Sequence, residues 1–173
     1  MKLTKHIFLI GFMGVGKTST SRELSKKLQV AETDTDAMIV EREQRSIAKI
    51  FEESGEAYFR SVETGMLDEL AQESPCIVSC GGGMAMRDEN VRKMKESGTV
   101  IFLTATPETI YEHVKDSTDR PLLNGNMNVP YIQKLMEQRE PKYSAAADIF
   151  IATDGNTPDE VADKIIQALE VEG

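Results

Sequence analysis

The sequence is organised around Gly11-Phe12-Met13-Gly14-Val15-Gly16-Lys17-Thr18, which fits the phosphate-loop pattern G-x-x-x-x-G-K-[ST]. An apolar run at residues 7–10 precedes this loop, and a helix-compatible segment at residues 20–28 follows it. This strand–loop–helix order is the context that the pattern requires. The three glycines let the backbone turn its N–H groups inward around phosphate oxygens. The positive N-terminal end of the following helix adds to that cradle.

The last two residues of the loop carry its chemistry. Lys17 places a positive charge on the β- and γ-phosphates of a nucleotide, and the hydroxyl of Thr18 is a ligand for Mg²⁺. The alternative is a glycine-rich turn in an α/β protein that binds no nucleotide. The flanking strand and helix favour the nucleotide site.

The composition restricts the class of protein. The 173 residues have the length of one domain, and we expect a single domain over residues 1–173. A formal net charge of −9 argues against nucleic-acid binding, and no apolar run approaches the ~20 residues of a membrane span. The start shows no signal-peptide pattern, and the only cysteines, Cys76 and Cys80, lie in an apolar run without a histidine cluster. These features predict a cytoplasmic protein with no membrane partner.

Apolar runs alternate with helical patterns along the chain. Further strands are predicted at residues 30–36, 76–80, 100–103 and 148–152. Gly55 is expected to separate two helices after the second strand, Gly98 to cap a helix, and Pro141 to end the helix that begins near residue 129. The alternation predicts a parallel sheet with helices on both faces and a site at the carboxyl ends of the strands. The polar residues 116–128 have the composition of a mobile loop.

Two acidic residues, Asp34 and Asp36, are expected at the end of the second strand, where an extended backbone would place them on one face. Beside a nucleotide, one of them can orient water on Mg²⁺ while the other accepts hydrogen bonds from a substrate hydroxyl. The alternative is a pair of solvated turn acids.

Two arginines are placed on inward helix faces by their spacing. Arg60 lies i, i+3 from Glu63 on a helix whose apolar face includes Phe59, and Arg139 lies one turn before the predicted helix end at Pro141. A guanidinium offers a carboxylate a bidentate grip. The alternatives are a structural ion pair for Arg60 and helix C-terminal capping for Arg139.

Two weaker signals complete the candidate site. The run Gly81-Gly82-Gly83 follows a strand, so a ligand can approach its backbone closely. Arg120 lies in the polar loop, from which it could reach a transferring phosphoryl group.

Taken together, these segments resemble the shikimate kinase family in order and spacing, from about residue 6 to residue 170. The matching segments are Gly11–Thr18, Asp34-Thr35-Asp36, Gly55-Glu56-Ala57-Tyr58-Phe59-Arg60 with Glu63, Gly81-Gly82-Gly83, Arg120-Pro121-Leu122-Leu123 and Arg139-Glu140-Pro141-Lys142-Tyr143. The phosphate loop alone is common to many kinases, whereas the whole set of segments is specific to far fewer families.

The resemblance implies an α/β fold of the P-loop nucleoside-monophosphate-kinase type. Its three layers would contain a five-stranded parallel sheet of order 2-3-1-4-5, with substrate-binding helices at residues 36–72 and a lid at residues 116–128. It implies ATP-dependent phosphorylation of the 3-hydroxyl of shikimate, with Mg²⁺ as cofactor, in the route to chorismate and aromatic amino acids. A monomer is expected.

The resemblance also implies roles for individual residues. The catalytic residues would be Lys17, Asp36 and Arg120. ATP would be bound by Gly11, Met13, Gly14, Val15, Gly16, Lys17, Thr18, Arg120 and Asn156. Shikimate would be bound by Asp36, Arg60, Gly81, Gly82, Gly83 and Arg139. Thr18 and Asp34 would hold the metal, with water between Asp34 and the ion.

The positions that would contact adenine depart from the family pattern. Family members often place an arginine against adenine on the helix before the lid, where this chain has His113, and another near Asn156. Arg45 replaces the usual glycine before a turn, which we interpret as structural. Adenine recognition is therefore expected to be weaker or built differently.

Two other functions are compatible with the scaffold. One is a different small-molecule P-loop kinase, for example of the gluconate kinase type, against which the two inward arginines and Asp36 argue. The other is a non-catalytic nucleotide-binding protein, which would have no physical need for Lys17, Thr18 and Arg120 together with both acids.

Overall fold

The computed structural model describes residues 2–115 and 128–172. The predicted lid therefore lies outside the described residues, apart from Asn128, and so does Arg120. The strands of the described ranges are β1 (His6–Ile10), β2 (Glu32–Asp34), β3 (Ile77–Ser79), β4 (Gly98–Thr104) and β5 (Ile149–Ala152). The helices are α1 (Lys17–Leu28), α2 (Thr35–Glu43), α3 (Ile47–Leu70), α4 (Asp88–Ser97), α5 (Pro107–Val114), α6 (Val129–Ala146) and α7 (Pro158–Glu172).

The five strands form one parallel sheet in the order β2-β3-β1-β4-β5, which confirms the predicted order. The central strand β1 is buried along its whole length and pairs with β3 through Phe8 and Val78 and with β4 through Phe8 and Val100. Because all strands run the same way, their carboxyl ends meet at one edge, where the phosphate loop begins.

Successive side chains of the sheet enter two separate cores, because they point to opposite faces. Leu9 and Ile101 belong to the core that α1, α5 and α7 cover, whereas Phe8 and Phe102 belong to the core that α3, α4 and α6 cover. Helices thus lie on both faces, as predicted. In the described part of the chain, no helix is long and apolar enough to cross a membrane.

The prediction of a strand through residue 36 is wrong. Strand β2 ends at Asp34, whose carboxylate accepts a hydrogen bond from the backbone N–H of Ala37 at 3.0 Å and so caps α2. Asp36 therefore lies in the first turn of a helix. This helix buries Ile39 against Ile50 and Phe59 of α3, and that packing fixes its position beside the sheet edge.

Gly55 interrupts α3 as predicted, because its backbone angles of φ 86° and ψ 167° are non-helical. Pro141 does not end α6, which continues to Ala146. A proline inside a helix costs about 3 kcal/mol through its missing N–H and its ring. Burial of Tyr143 and Ala146 on the far side of the proline offsets that cost. Arg139 therefore lies inside α6, and the alternative of C-terminal capping does not apply.

Gly98 begins β4 instead of acting as a left-handed helix cap, because its φ is −164°. A Cβ atom at this position would lie 2.5 Å from the backbone oxygen of His6 and 2.6 Å from the ring of Phe8. The glycine is thus needed for the close approach of β4 to β1.

We expect Gly98→Ala to lower the free energy of unfolding by roughly 3 kcal/mol, because the clash is with sheet backbone that cannot move away. Denaturant unfolding would measure the change. Gly65→Ala on α3 is the matched control, since among the described residues nothing beyond the neighbouring helix backbone lies within 4 Å of its added methyl group, and alanine favours the helix. Equal stability of the two variants would contradict the close approach of β4 to β1.

Candidate active site

The phosphate loop has a backbone that only glycine accommodates easily. Gly11, Gly14 and Gly16 have φ values of 151°, 82° and 104°. A Cβ atom at Gly11 would lie 2.7 Å from the backbone oxygen of Leu103, and one at Gly14 would lie 2.5 Å from Cγ1 of Val114. The loop is therefore pressed between β4 and α5, which fixes the direction of its N–H groups.

Lys17 and Thr18 begin α1, directly after the loop. The Nζ atom of Lys17 donates to the carbonyl oxygens of Gly11 at 2.6 Å and Phe12 at 3.2 Å, so the ammonium group lies over the loop. The Thr18 hydroxyl donates to Oδ2 of Asp34 at 3.5 Å. The structure thus brings the two predicted metal residues together.

The donor set around Thr18 and Asp34 fits Mg²⁺. Among the described residues, no three or more His, Cys, Asp or Glu side chains form a group that could hold a metal ion by themselves. Mg²⁺ in nucleotide sites needs no such group, because water and phosphate oxygens supply most of its ligands. One hydroxyl with one nearby carboxylate is the protein contribution expected for that ion.

Asp36 is half-buried in the first turn of α2 and lies against the glycine loop (Gly81–Gly83) that follows β3. Its Oδ1 atom is only 2.8 Å from the point where a Cβ atom of Gly81 would stand. Burial raises the pKa of the Asp36 carboxyl, and the neighbouring charge of Asp34 raises it further, whereas Lys17 and Arg60 offset part of the rise. Asp36 is therefore more basic than an ordinary aspartate and is suited to accept a proton.

Arg60 on α3 lies against the last residue of the glycine loop, since a Cβ atom at Gly83 would overlap its guanidinium. Its Nη1 atom is 2.8 Å from Oε1 of Glu63, and its Nε atom is 3.6 Å from the exposed Glu56. The Glu63 side chain is only 1% exposed. Burial raises the pKa of its carboxyl, and Arg60 partly offsets that rise. The ion pair holds Arg60 at the loop, so the structural role and a binding role are compatible.

Arg139 reaches the same loop from α6. Its Nη1 atom lies 3.0 Å from the position of a Cβ atom at Gly82, and its guanidinium carbon lies 6.0 Å from the ring centre of Phe12. No carboxylate of residues 2–115 or 128–172 forms an ion pair with it. The two arginines therefore meet one loop from two helices, and within the described ranges Arg139 is the one without an anionic side chain paired to it.

A network of polar side chains that the sequence did not predict supports the glycine loop. The fully buried Asn90 of α4 donates to the carbonyl oxygen of Met84 at 3.0 Å and accepts from the hydroxyl of Thr64 at 2.7 Å. Arg87 donates to that hydroxyl and to the backbone oxygen of Arg60, each at 3.0 Å. The i, i+4 spacing of Asn90 and the buried Met94 was the available signal, and the polar sequence around them obscured it.

His113, at a position expected to face adenine, makes a contact that the sequence did not predict. Nδ1 of His113 donates to the carbonyl oxygen of Gly14 at 2.6 Å, so α5 is tied to the phosphate loop. Asn156 is half-buried, and its side chain donates to the backbone oxygen of Asp154 at 2.9 Å, within its own turn. His113 thus lies beside the phosphate loop.

The comparisons with known proteins agree with this geometry. The family model described as shikimate kinase matches residues 13–170. A shikimate kinase of Dehalococcoides mccartyi is 43% identical over 95% of this chain and 93% of its own length. One from Persephonella marina is 41% identical over 94% of this chain and 97% of its own.

Solved structures extend the comparison to the fold. A shikimate kinase from Acinetobacter baumannii in complex with shikimate superimposes with a TM-score of 0.90 at 30% identity, over 97% of this chain and 94% of that one. A gluconokinase from Sinorhizobium meliloti has a TM-score of 0.62 at 14% identity, over 100% of this chain and 99% of that one, which shows a shared fold alone. The family match and the identities over nearly full length confirm the resemblance: the chain belongs to the shikimate kinase family.

Proposed function

We propose that this chain transfers the γ-phosphoryl group of ATP to the 3-hydroxyl of shikimate. The observation that carries the proposal is the convergence of Arg60, Arg139 and Asp36 on one glycine loop beside the phosphate loop. Two guanidinium groups suit a carboxylate, and a basic aspartate next to them suits a hydroxyl. Shikimate is a cyclic carboxylic acid with such hydroxyls, and one related structure contains it.

The chemistry is a displacement at phosphorus. The substrate oxygen forms a bond to the γ-phosphorus while the bond to the β–γ bridging oxygen breaks and ADP leaves. Asp36 orients the attacking hydroxyl and accepts its proton. Such transfers depend on positioning and on neutralising charge, because their transition state is loose. Lys17 and the N–H groups of the phosphate loop neutralise the charge that develops on the phosphate oxygens.

The proposed reaction uses Mg²⁺ as its cofactor. Thr18 would bind it directly and Asp34 through water, and the ion would supply positive charge to the phosphate oxygens. Arg120 stays a prediction as the further cation at the phosphates. The expectations of a single domain over residues 1–173, a monomer, a cytoplasmic location and no nucleic-acid or membrane partner also stay predictions.

The test of the function is an assay that couples ADP release to a spectroscopic signal, with shikimate, with gluconate and without acceptor. We expect ADP release only with shikimate, together with formation of shikimate 3-phosphate. Turnover with gluconate instead would favour the other kinase class. ATP binding without turnover on either acceptor would favour a non-catalytic nucleotide-binding protein.

Arg60→Lys and Arg139→Lys should each weaken shikimate binding roughly ten- to a hundredfold, because a lysine keeps the charge but loses the second hydrogen bond. Affinity for ADP should change little, since the phosphate loop is formed by a different part of the chain. Titration calorimetry with shikimate and separately with ADP would measure both.

Arg42→Lys is the matched control for these two variants. Arg42 is exposed on α2 and forms an ion pair with the exposed Glu69 at 2.7 Å, so its replacement should leave both affinities unchanged. If Arg60→Lys or Arg139→Lys weakened ADP binding as much as shikimate binding, the assignment of these arginines to the carboxylate would be wrong.

A further inference from the structure

The buried residue Tyr143 has no part in the transfer described above. Its side chain is packed in the core beneath the site, with the ring centre 5.1 Å from that of Phe102. Its hydroxyl group donates to the carbonyl oxygen of Gly82 at 2.6 Å. Phenylalanine would fill the same space, so packing alone does not account for a hydroxyl at this position.

Tyr143 and Arg139 are i, i+4 on α6 and therefore lie on one side of the helix. Both meet the same residue of the glycine loop. From the position of a Cβ atom at Gly82, Nη1 of Arg139 is 3.0 Å away and the hydroxyl oxygen of Tyr143 is 3.8 Å away. The contact of the arginine with the loop and the hydrogen bond of the tyrosine are thus parts of one helix–loop junction.

The helix turn between the two residues is weakened by Pro141. A proline has no N–H, so the helix hydrogen bond to the carbonyl oxygen of Glu137 cannot form. The backbone of α6 therefore constrains Arg139 less here than in a regular helix. A tertiary contact close to this turn has correspondingly more influence on where the guanidinium lies.

The glycine loop itself is held by other partners. The N–H of Gly81 donates to the hydroxyl of Thr35 at 2.9 Å, and Asn90 binds the carbonyl oxygen of Met84 at 3.0 Å. These bonds anchor both ends of the loop without Tyr143. Loss of the tyrosine hydroxyl should consequently shift the α6 turn and leave the loop in place.

We propose that Tyr143 is a positioning residue, whose hydrogen bond to the Gly82 carbonyl sets the α6 turn so that Arg139 grips the carboxylate of the substrate. This inference rests on the proposed function. Burial raises the pKa of the Tyr143 phenol, with Arg139 offsetting part of the rise, so the hydroxyl stays protonated and able to donate near neutral pH.

Tyr143→Phe tests the proposal because it keeps the ring and removes only the hydroxyl. We expect the dissociation constant for shikimate to rise about three- to tenfold, in line with the loss of one neutral hydrogen bond. The dissociation constant for ADP should stay unchanged. Tyr131→Phe is the matched control on the same helix, since its hydroxyl has no hydrogen bond to the described residues.

A double-mutant cycle separates positioning from a general structural role. If Tyr143 acts through Arg139, Tyr143→Phe should add little to the effect of Arg139→Lys, whereas it should add fully to the effect of Arg60→Lys. Additive effects with Arg139→Lys would overturn the proposal. So would equal losses of shikimate and ADP affinity, or unchanged shikimate affinity in Tyr143→Phe. Failure of the unsubstituted chain to bind shikimate would instead overturn the proposed function, and this inference with it.

Discussion

Lys17→Ala should lower turnover roughly a thousandfold or more, because it removes a charge that acts on the phosphate oxygens as they become more negative. The side chain belongs to the site and not to a core, since its Nζ atom donates to the loop carbonyl oxygens of Gly11 and Phe12. The melting temperature should therefore change little. The coupled assay and thermal unfolding would measure the two quantities.

Lys26→Ala is the matched control, since it removes the same charge from the same helix. Lys26 is 66% exposed and lies 3.4 Å from Glu23, so turnover should remain near that of the unsubstituted chain. Near-normal turnover in Lys17→Ala would show that the loop does not serve phosphoryl transfer. A large drop in its melting temperature would show that Lys17 supports the fold instead.

The sheet could be predicted because its signals are local. Runs such as residues 7–10 and 100–103 are apolar throughout, as expected for strands covered on both faces. The alternation of strands and helices then restricts the connections to a few. The strand order itself came from the resemblance, which the structure confirms.

The errors occurred where a tertiary contact outweighs a local preference. Pro141 favours a helix end, but α6 continues to Ala146 because Tyr143 is buried. Asp36 has the sequence context of a strand end, but the cap formed by Asp34 and the burial of Ile39 make α2. The burial of Tyr143 and Ile39 could not be predicted from the local sequence, whereas Asp34 was available as a helix N-cap signal.

In the candidate site, too, contiguous residues could be recognised from the sequence, whereas long-range contacts could not. The phosphate loop could be recognised because its glycines and lysine are contiguous. The convergence of Arg60 and Arg139 on one loop required the helices to be placed in space. The role of Asn90 was hidden because a fully buried asparagine in a charged helix looks like a surface residue until its partners are known.

Asp36→Asn should reduce turnover by roughly a hundred- to ten-thousandfold, the range typical of a lost general base. The amide keeps the shape of the carboxylate but neither accepts the hydroxyl proton nor carries the charge. Glu41→Gln makes the same change of charge on the exposed side of the same helix and should leave turnover unchanged. Equal activity of the two variants would exclude Asp36 as the proton acceptor.

The same substitution should leave stability equal or higher at neutral pH. Burial and Asp34 raise the pKa of Asp36, so the folded chain holds this proton more tightly than the unfolded chain does. The stability that this proton contributes is therefore lost as the pH rises from the ordinary pKa of an aspartate through the raised pKa of Asp36. Asparagine has no such loss, so its melting temperature should exceed that of the unsubstituted chain most clearly at neutral pH.

The pH dependence of stability and of turnover decides whether the pKa of Asp36 is raised or depressed in the folded chain. The stability advantage of Asp36→Asn should shrink as the pH falls through the raised pKa towards the ordinary value of an aspartate. Over the same interval, kcat/KM of the unsubstituted chain should fall, because the proton acceptor becomes protonated. Thermal unfolding and initial rates across this interval would measure both. A lower melting temperature of Asp36→Asn at neutral pH would mean that the charge stabilises the fold, and its pKa would then be depressed instead of raised.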